Sequence, residues 1–256
     1  MNILPVEEIE KKIKSQTTSL SEVHGYGHLH RTAVGAQFFA HAFGESDENQ
    51  EIAYIVGLIH DLERPNTEKI DHADISVREA KSFLNHFSIN QDIKDKILHL
   101  IETHRQPQDI PLTEQWVYLS DKLFEQSGAY VLFRRSYYIG ECEDFKNMSM
   151  EEAVKHHMNE RMEKFKPNVF HEKVRKLADY QYQFQEELIT RFVAKESWAW
   201  HLAETFYQHG RQKNPFLEKL IEQFNPITSD DRRIQNEARD YIQGKKYSFF
   251  ESLLSK

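Results

Sequence analysis

The stretch Ile52-Ala53-Tyr54-Ile55-Val56-Gly57-Leu58-Ile59-His60-Asp61 decides how this chain is read. Its first eight positions form an almost wholly apolar run, which suits a helix buried on all sides. The run ends on an imidazole and a carboxylate, and burying both is costly unless each finds a partner. A divalent metal satisfies the two together. One His-Asp pair is ordinary in a chain with 14 histidines, so the weight falls on what lines up with it.

Outward from that stretch, periodic apolar stripes run along most of the sequence. They predict helices over 5–15, 28–43, 48–61, 73–87, 90–104, 113–126, 150–164, 168–193, 196–209, 214–224 and 229–243. Breaks fall at Arg64-Pro65-Asn66, Gln106-Pro107-Gln108, Lys166-Pro167-Asn168, Lys213-Asn214-Pro215 and Asn225-Pro226. With 9 Gly and 7 Pro among 256 residues, turns are too few for an all-β chain. The expected fold is therefore all-α. Phe170, Val174, Leu177, Gln181, Phe184 and Leu188 make a near-heptad packing seam interrupted by one amide. The principal domain is expected over 1–195, with 196–256 as a helical C-terminal extension. Its aromatics Trp198, Trp200, Phe206 and Tyr207 are read as packing residues, and His201 and His209 show no ligand pattern.

Helical phase selects the ligand candidates. His28 heads the small, apolar row Thr32, Gly35, Phe39 and Ala42, whereas His30 heads the mixed row Val34, Gln37 and His41. His28 is thus expected to point inward. His24, one turn earlier, is expected behind it rather than on the metal. His104 continues the stripe Ile93, Ile97, Leu100 and Ile101, so its ring enters the core at a helix end. Asp121 lies between Val117 and Phe124 on an apolar face, where a carboxylate needs an arginine or a metal. His72 opens the helix that follows His60-Asp61. Two imidazoles and two carboxylates suit Mn²⁺, Fe²⁺, Co²⁺, Ni²⁺ or Zn²⁺ better than Ca²⁺, with Mg²⁺ also allowed. His72 and His104 would permit a second ion bridged by Asp61.

Composition excludes other classes. The net charge of −8 argues against binding nucleic acid through phosphate neutralisation, but leaves room for a small phosphorylated substrate. The single cysteine, Cys142, allows no internal disulfide and no cysteine-based zinc site, which suits a cytoplasmic location. No apolar signal core opens the sequence, and no membrane partner is expected.

In order and spacing, five pieces resemble the HD superfamily of metal-dependent phosphohydrolases: His24-Gly25-Tyr26-Gly27-His28 with Arg31, Gly57 to Asp61, His72 with Ser76, Ile101 to His104, and Ser120-Asp121-Lys122-Leu123. The likeness spans roughly residues 20 to 135. It extends toward a bacterial branch containing nucleoside triphosphate pyrophosphohydrolases, through Gly128-Ala129 to Arg134 and His157-Met158-Asn159-Glu160-Arg161. The resemblance implies His28, His60, Asp61 and Asp121 as metal ligands. Thr32 stands where valine is usual, Arg161 where lysine is common, and Gln181 where arginine is expected.

Phosphoryl transfer needs positive charge near the anionic oxygens, and Lys122, Arg134 and Arg161 are the candidates, with Arg105 and Arg135 behind them. Lys122 points about 100° away from Asp121 on a helix, so it is a neighbour rather than a ligand. Glu63 or Asp71 is expected to orient the attacking water. The leading expectation is a phosphohydrolase acting on a nucleotide or similar small phosphoester, with one or two metal ions. A di-iron oxygenase and a non-catalytic nucleotide-binding module are the alternatives. An oligomer is allowed.

Overall fold

A computed structural model describes residues 3–17, 22–62, 73–104 and 110–254. Glu63, Asp71, His72 and Arg105, with the breaks at 64–66 and 106–108, lie outside the described residues. Among the described residues the regular structure is entirely helical, in accord with an all-α fold. No described helix is long and apolar enough to cross a membrane. The chain divides into two compact units, Met1–Asp121 and Lys122–Lys256.

The first unit contains α1 (Val6–Gln16), α2 (Tyr26–Ala42), α3 (Asp47–Ile59), α4 (Ala73–Leu84), α5 (Gln91–Thr103) and the short α6 (Trp116–Leu119). Helix α3 starts where Ser46 accepts from the Asn49 N–H, and Asp47 and Glu48 complement the helix dipole in its first turn. From Ile52 to Ile59 every residue is buried, as the apolar run requires. Helix α5 starts at the Asn90 cap, whose side chain accepts from the Asp92 N–H. Helices α2 and α3 form the main packed pair, with α6 against α2, α1 and α5 against α3, and α4 against α5.

The second unit contains α7 (Val131–Glu141), α8 (Met150–Lys164), α9 (Arg175–Val193), α10 (Ser197–Arg211), α11 (Leu217–Gln223), α12 (Ser229–Ile242) and α13 (Tyr247–Ser252). Its main packed pair is α7 with α10. Two glycines permit this approach: a Cβ on Gly140 would collide with the Tyr207 carbonyl, and one on Gly210 with the Tyr137 carbonyl. Capping boxes, Ser149 with Glu152 and Thr228 with Asp231, start α8 and α12. Trp198 and Phe206 are buried, and Trp200 stacks on Phe192 at 5.0 Å.

Four elements depart from the predicted helices, the short α13 (Tyr247–Ser252) being one of them. Helix α7 was not among the predicted helices; every residue in it is buried, Arg134, Arg135, Ser136 and Glu141 included. The helix expected over 113–126 is instead a 3₁₀ turn (Leu112–Glu114), α6, and a π-helical turn (Ser120–Glu125). The helix expected from 168 becomes regular only at Arg175, after 3₁₀ turns at Pro167–Val169 and Glu172–Val174. There the His171 ring accepts from the Lys173 N–H and breaks the run.

Candidate metal centre

Three helix ends and a π-turn carry the site of the first unit. His60 caps the C-terminus of α3, and its Nδ1 lies 2.9 Å from the Gly57 carbonyl. A carbonyl only accepts, so Nδ1 holds the proton and Nε2 keeps the lone pair. That Nε2 is buried and has no hydrogen-bond donor. His104 repeats the device at the C-terminus of α5, with Nδ1 on the Ile101 carbonyl. His28, on the buried face of α2's first turn, is 0% exposed, whereas the His30 side chain is 41% exposed.

These rings stand in a row. The His28 and His60 centroids are 5.4 Å apart, His60 and His104 are 5.4 Å apart, and His24 lies 6.2 Å beyond His28. Asp121, on the π-turn, brings Oδ1 to 3.9 Å from His28 Nε2. One ligand atom each from His28, His60 and Asp121 lie within 4.8 Å of one another. Two donors on one ion, with bonds of about 2.0–2.2 Å, are separated by at most about 4.4 Å, so the 3.9 Å spacing fits a shared cation. Nitrogen and carboxylate donors in a buried position, one of them a lone pair with nothing to accept, fit a transition-metal ion. His28, His60 and Asp121 together could hold one.

Asp61 stands next to this trio rather than in it. It is 2% exposed, and its Oδ2 is 3.7 Å from His60 Nε2. His104 and His24 likewise flank the trio. The Asp121 charge also acts on Tyr118: burial first, then that carboxylate, pushes the phenol up to about 12.

Two contacts that the sequence reading did not assign set the geometry. Ser120 Oγ donates to the Thr32 carbonyl at 2.9 Å, pinning the turn that carries Asp121 to α2 one helical turn beyond His28. Gly57 packs on the Thr32–Ala33 backbone and brings α3 close to α2. An isolated glycine in an apolar helical run is the sequence signal for such a contact. The π-turn is itself a rare form that is frequent at functional sites.

The expected phosphate-facing cations belong to the second unit. Lys122 Nζ lies 5.7 Å from the Phe165 ring centre. Arg134 is 2% exposed, and its Nε is 3.9 Å from Glu125 Oε2. Arg135 donates from Nη1 to His157 Nε2 at 3.1 Å and from Nη2 to Gln126 Oε1 at 2.9 Å. Burial, then Arg135, Arg161 and Arg134 in that order, hold the His157 pKa well below its ordinary value. Gln181 donates to the Leu123 carbonyl at 2.7 Å, and its own carbonyl accepts from the Gly128 N–H.

Residues 25–125 match the family model of the HD domain. The matched segment contains His28, His60, Asp61, His104 and Asp121 and supports the HD superfamily, whose members are generally metal-dependent hydrolases that bind divalent ions. No curated protein and no solved structure matches the chain.

Proposed function

We propose that this chain is a metal-dependent phosphohydrolase that cleaves a nucleotide or a similar small phosphoester with a metal-activated water. The observation that carries this reading is the buried His28–His60–Asp121 trio inside the segment that matches the HD domain. A divalent ion there supplies Lewis acidity and a bound water of lowered pKa. The chain's own part is to hold the imidazole lone pairs in place: the Gly57 carbonyl fixes the His60 tautomer, and Ser120 fixes the turn of Asp121. Asp61, 3.7 Å from His60 Nε2, is a fourth ligand or the group that orients the water. The finer assignment to the nucleoside triphosphate pyrophosphohydrolase branch draws on the resemblance of the Gly128–Arg134 and His157–Arg161 segments.

The test is metal analysis of purified protein joined to a screen of nucleotides, with phosphate and pyrophosphate release measured separately. Bound transition metal and turnover lost in both His60→Ala and Asp61→Ala are expected. Full turnover in both variants would overturn the reading.

The His104 ring beside His60, locked to a carbonyl in the same way, favours a second ion and with it the di-iron oxygenase. Iron-loaded protein that consumes no oxygen in the presence of reductant removes that alternative.

A further inference from the structure

Helix α2 carries His28 in a first turn that is weak by composition. The turn reads Tyr26-Gly27-His28-Leu29, and Gly25 precedes it as the N-cap. A glycine cap has no side-chain acceptor to offer, and no acidic residue lies in the first turn to answer the helix dipole. Two glycines in three positions also raise the entropy lost when the turn forms. The first backbone bond of the helix runs from the Leu29 N–H to the Gly25 carbonyl, at 3.2 Å. Fraying at that bond would carry the His28 ring away from its 3.9 Å approach to Asp121.

Helix α1 supplies what this turn lacks. Ile9 and Ile13 form its fully buried stripe, and it packs on α3. Glu10, next around the helix, stands at the margin of that contact with its side chain 30% exposed. Its carboxylate is shared between two helices. Oε1 accepts from the Tyr26 hydroxyl at 2.5 Å, and Oε2 accepts from the Tyr54 hydroxyl at 3.1 Å. Around the same group, His30 Nε2 lies 3.8 Å from Oε1, and Lys14 Nζ lies 5.3 Å from the Tyr26 ring centre. One acidic side chain thus joins the first residue of α2 to the middle of α3. Those are the two helices that bring the His28 and His60 centroids to 5.4 Å.

We propose that Glu10 is a positioning residue for the metal centre: through Tyr26 it holds the first turn of α2, and with it His28, in place beside His60. The proposal rests on the metal-centre reading of the trio and gives the N-terminal helix a part in it. Glu10 acts through the tyrosine rather than on the ion. A hydrogen bond to a carboxylate is about twice as strong as one between neutral groups, which suits it to securing a weak turn. A second tie keeps α1 docked when Glu10 is replaced: the Ile3 and Leu4 N–H groups donate to the Glu51 carboxylate of α3 at 2.9 and 2.7 Å.

Two measurements on the full-length chain test this, both well below the melting temperature of every variant. The first is affinity for Co²⁺ by competition with a chromophoric chelator. The second is hydrogen exchange at the Leu29 amide in metal-free protein. Wild type is expected to bind the ion. Tyr26→Phe removes only the hydroxyl, and should bind Co²⁺ about 10-fold more weakly and exchange Leu29 faster. Glu10→Ala should lose at least as much, and Glu10→Gln less, because its amide oxygen can still accept from Tyr26. The double variant Glu10→Ala/Tyr26→Phe should be no weaker than Glu10→Ala alone, since both act through one bond. Single variants that melt lower but hold Co²⁺ as tightly as wild type would make Glu10 a merely stabilising contact and overturn the proposal. Losses that add in the double variant would overturn it too, as would wild type that takes up no Co²⁺. Failure of the phosphohydrolase reading alone would show instead as metal-loaded protein without turnover.

Discussion

Gly57 and Ala33 bring α3 against α2 at a separation that leaves no room for a methyl group: a Cβ on Gly57 would lie 2.7 Å from the Ala33 nitrogen and nearer still to its Cα. Helix propensity alone says that alanine should stabilise a helix interior by about 0.5–1 kcal/mol over glycine. The clash here is with backbone, which cannot rotate away, and overpacking of this kind costs about 1–3 kcal/mol. Gly57→Ala is therefore expected to destabilise the protein by about 1–2 kcal/mol net. His60 follows Gly57 by three residues, so bound metal should fall as well. Thermal melting and metal stoichiometry check this, and a variant that melts higher than wild type refutes the close-packing account.

The Ser120 hydroxyl ties the π-turn to α2. Ser120→Ala removes a buried hydrogen bond worth about 0.5–1.5 kcal/mol, a modest change in stability. Its effect on the metal should be larger in proportion, because Asp121 is the next residue and outer partners of metal ligands typically govern about 10–100-fold in affinity. Competition with a chromophoric chelator measures it. Equal metal affinity in Ser120→Ala and wild type would show that Asp121 is held by other contacts.

Metal should also report on folding. A cation that binds only the folded chain stabilises it by about 2.7 kcal/mol at 100 times its dissociation constant. Wild-type protein is expected to melt several degrees higher with added Mn²⁺, Co²⁺ or Zn²⁺ than with chelator. His60→Ala should show little of that gain, since it loses a trio nitrogen whose tautomer is fixed by the Gly57 carbonyl. An equal rise in wild type and His60→Ala would place the ion elsewhere.

Much of this was legible in the sequence, for identifiable reasons. Helix α3 announces itself by its apolar run, and helical phase separates buried His28 from half-exposed His30. Helix α7 escaped because its polar residues, Arg134, Arg135, Ser136 and Glu141, are buried along with the rest of Val131–Glu141 and so mark no solvent face. The π-turn escaped because a few residues cannot distinguish a wider turn from a regular one. At Gln181 a polar residue breaks an apolar seam, and the structure supplies the reason: its amide satisfies the Leu123 carbonyl within that turn. The Tyr241–Glu125 bond joins residues 116 positions apart, a pairing that no local pattern encodes.

The buried histidine of the second unit sets a pH dependence whose sign follows from its neighbours. Burial and then Arg135, Arg161 and Arg134 lower the His157 pKa well below the ordinary 6.5, so the folded chain keeps the ring neutral. An unfolded chain takes up a proton as pH falls through about 6.5, and binds more protons than the folded one from there down. Stability that is complete above this range is therefore lost as pH drops, at no more than about 1.4 kcal/mol per pH unit from this group. Carboxylates add their own slopes, so the contribution is isolated by difference. His157→Gln retains an acceptor for Arg135 but cannot titrate. Between pH 7 and pH 5 its melting temperature should fall less steeply than that of wild type, with the two curves parallel above pH 7. Parallel curves through the whole range would mean that the folded ring takes up its proton as readily as the unfolded one, and the Arg135–His157 hydrogen bond would then have the wrong polarity.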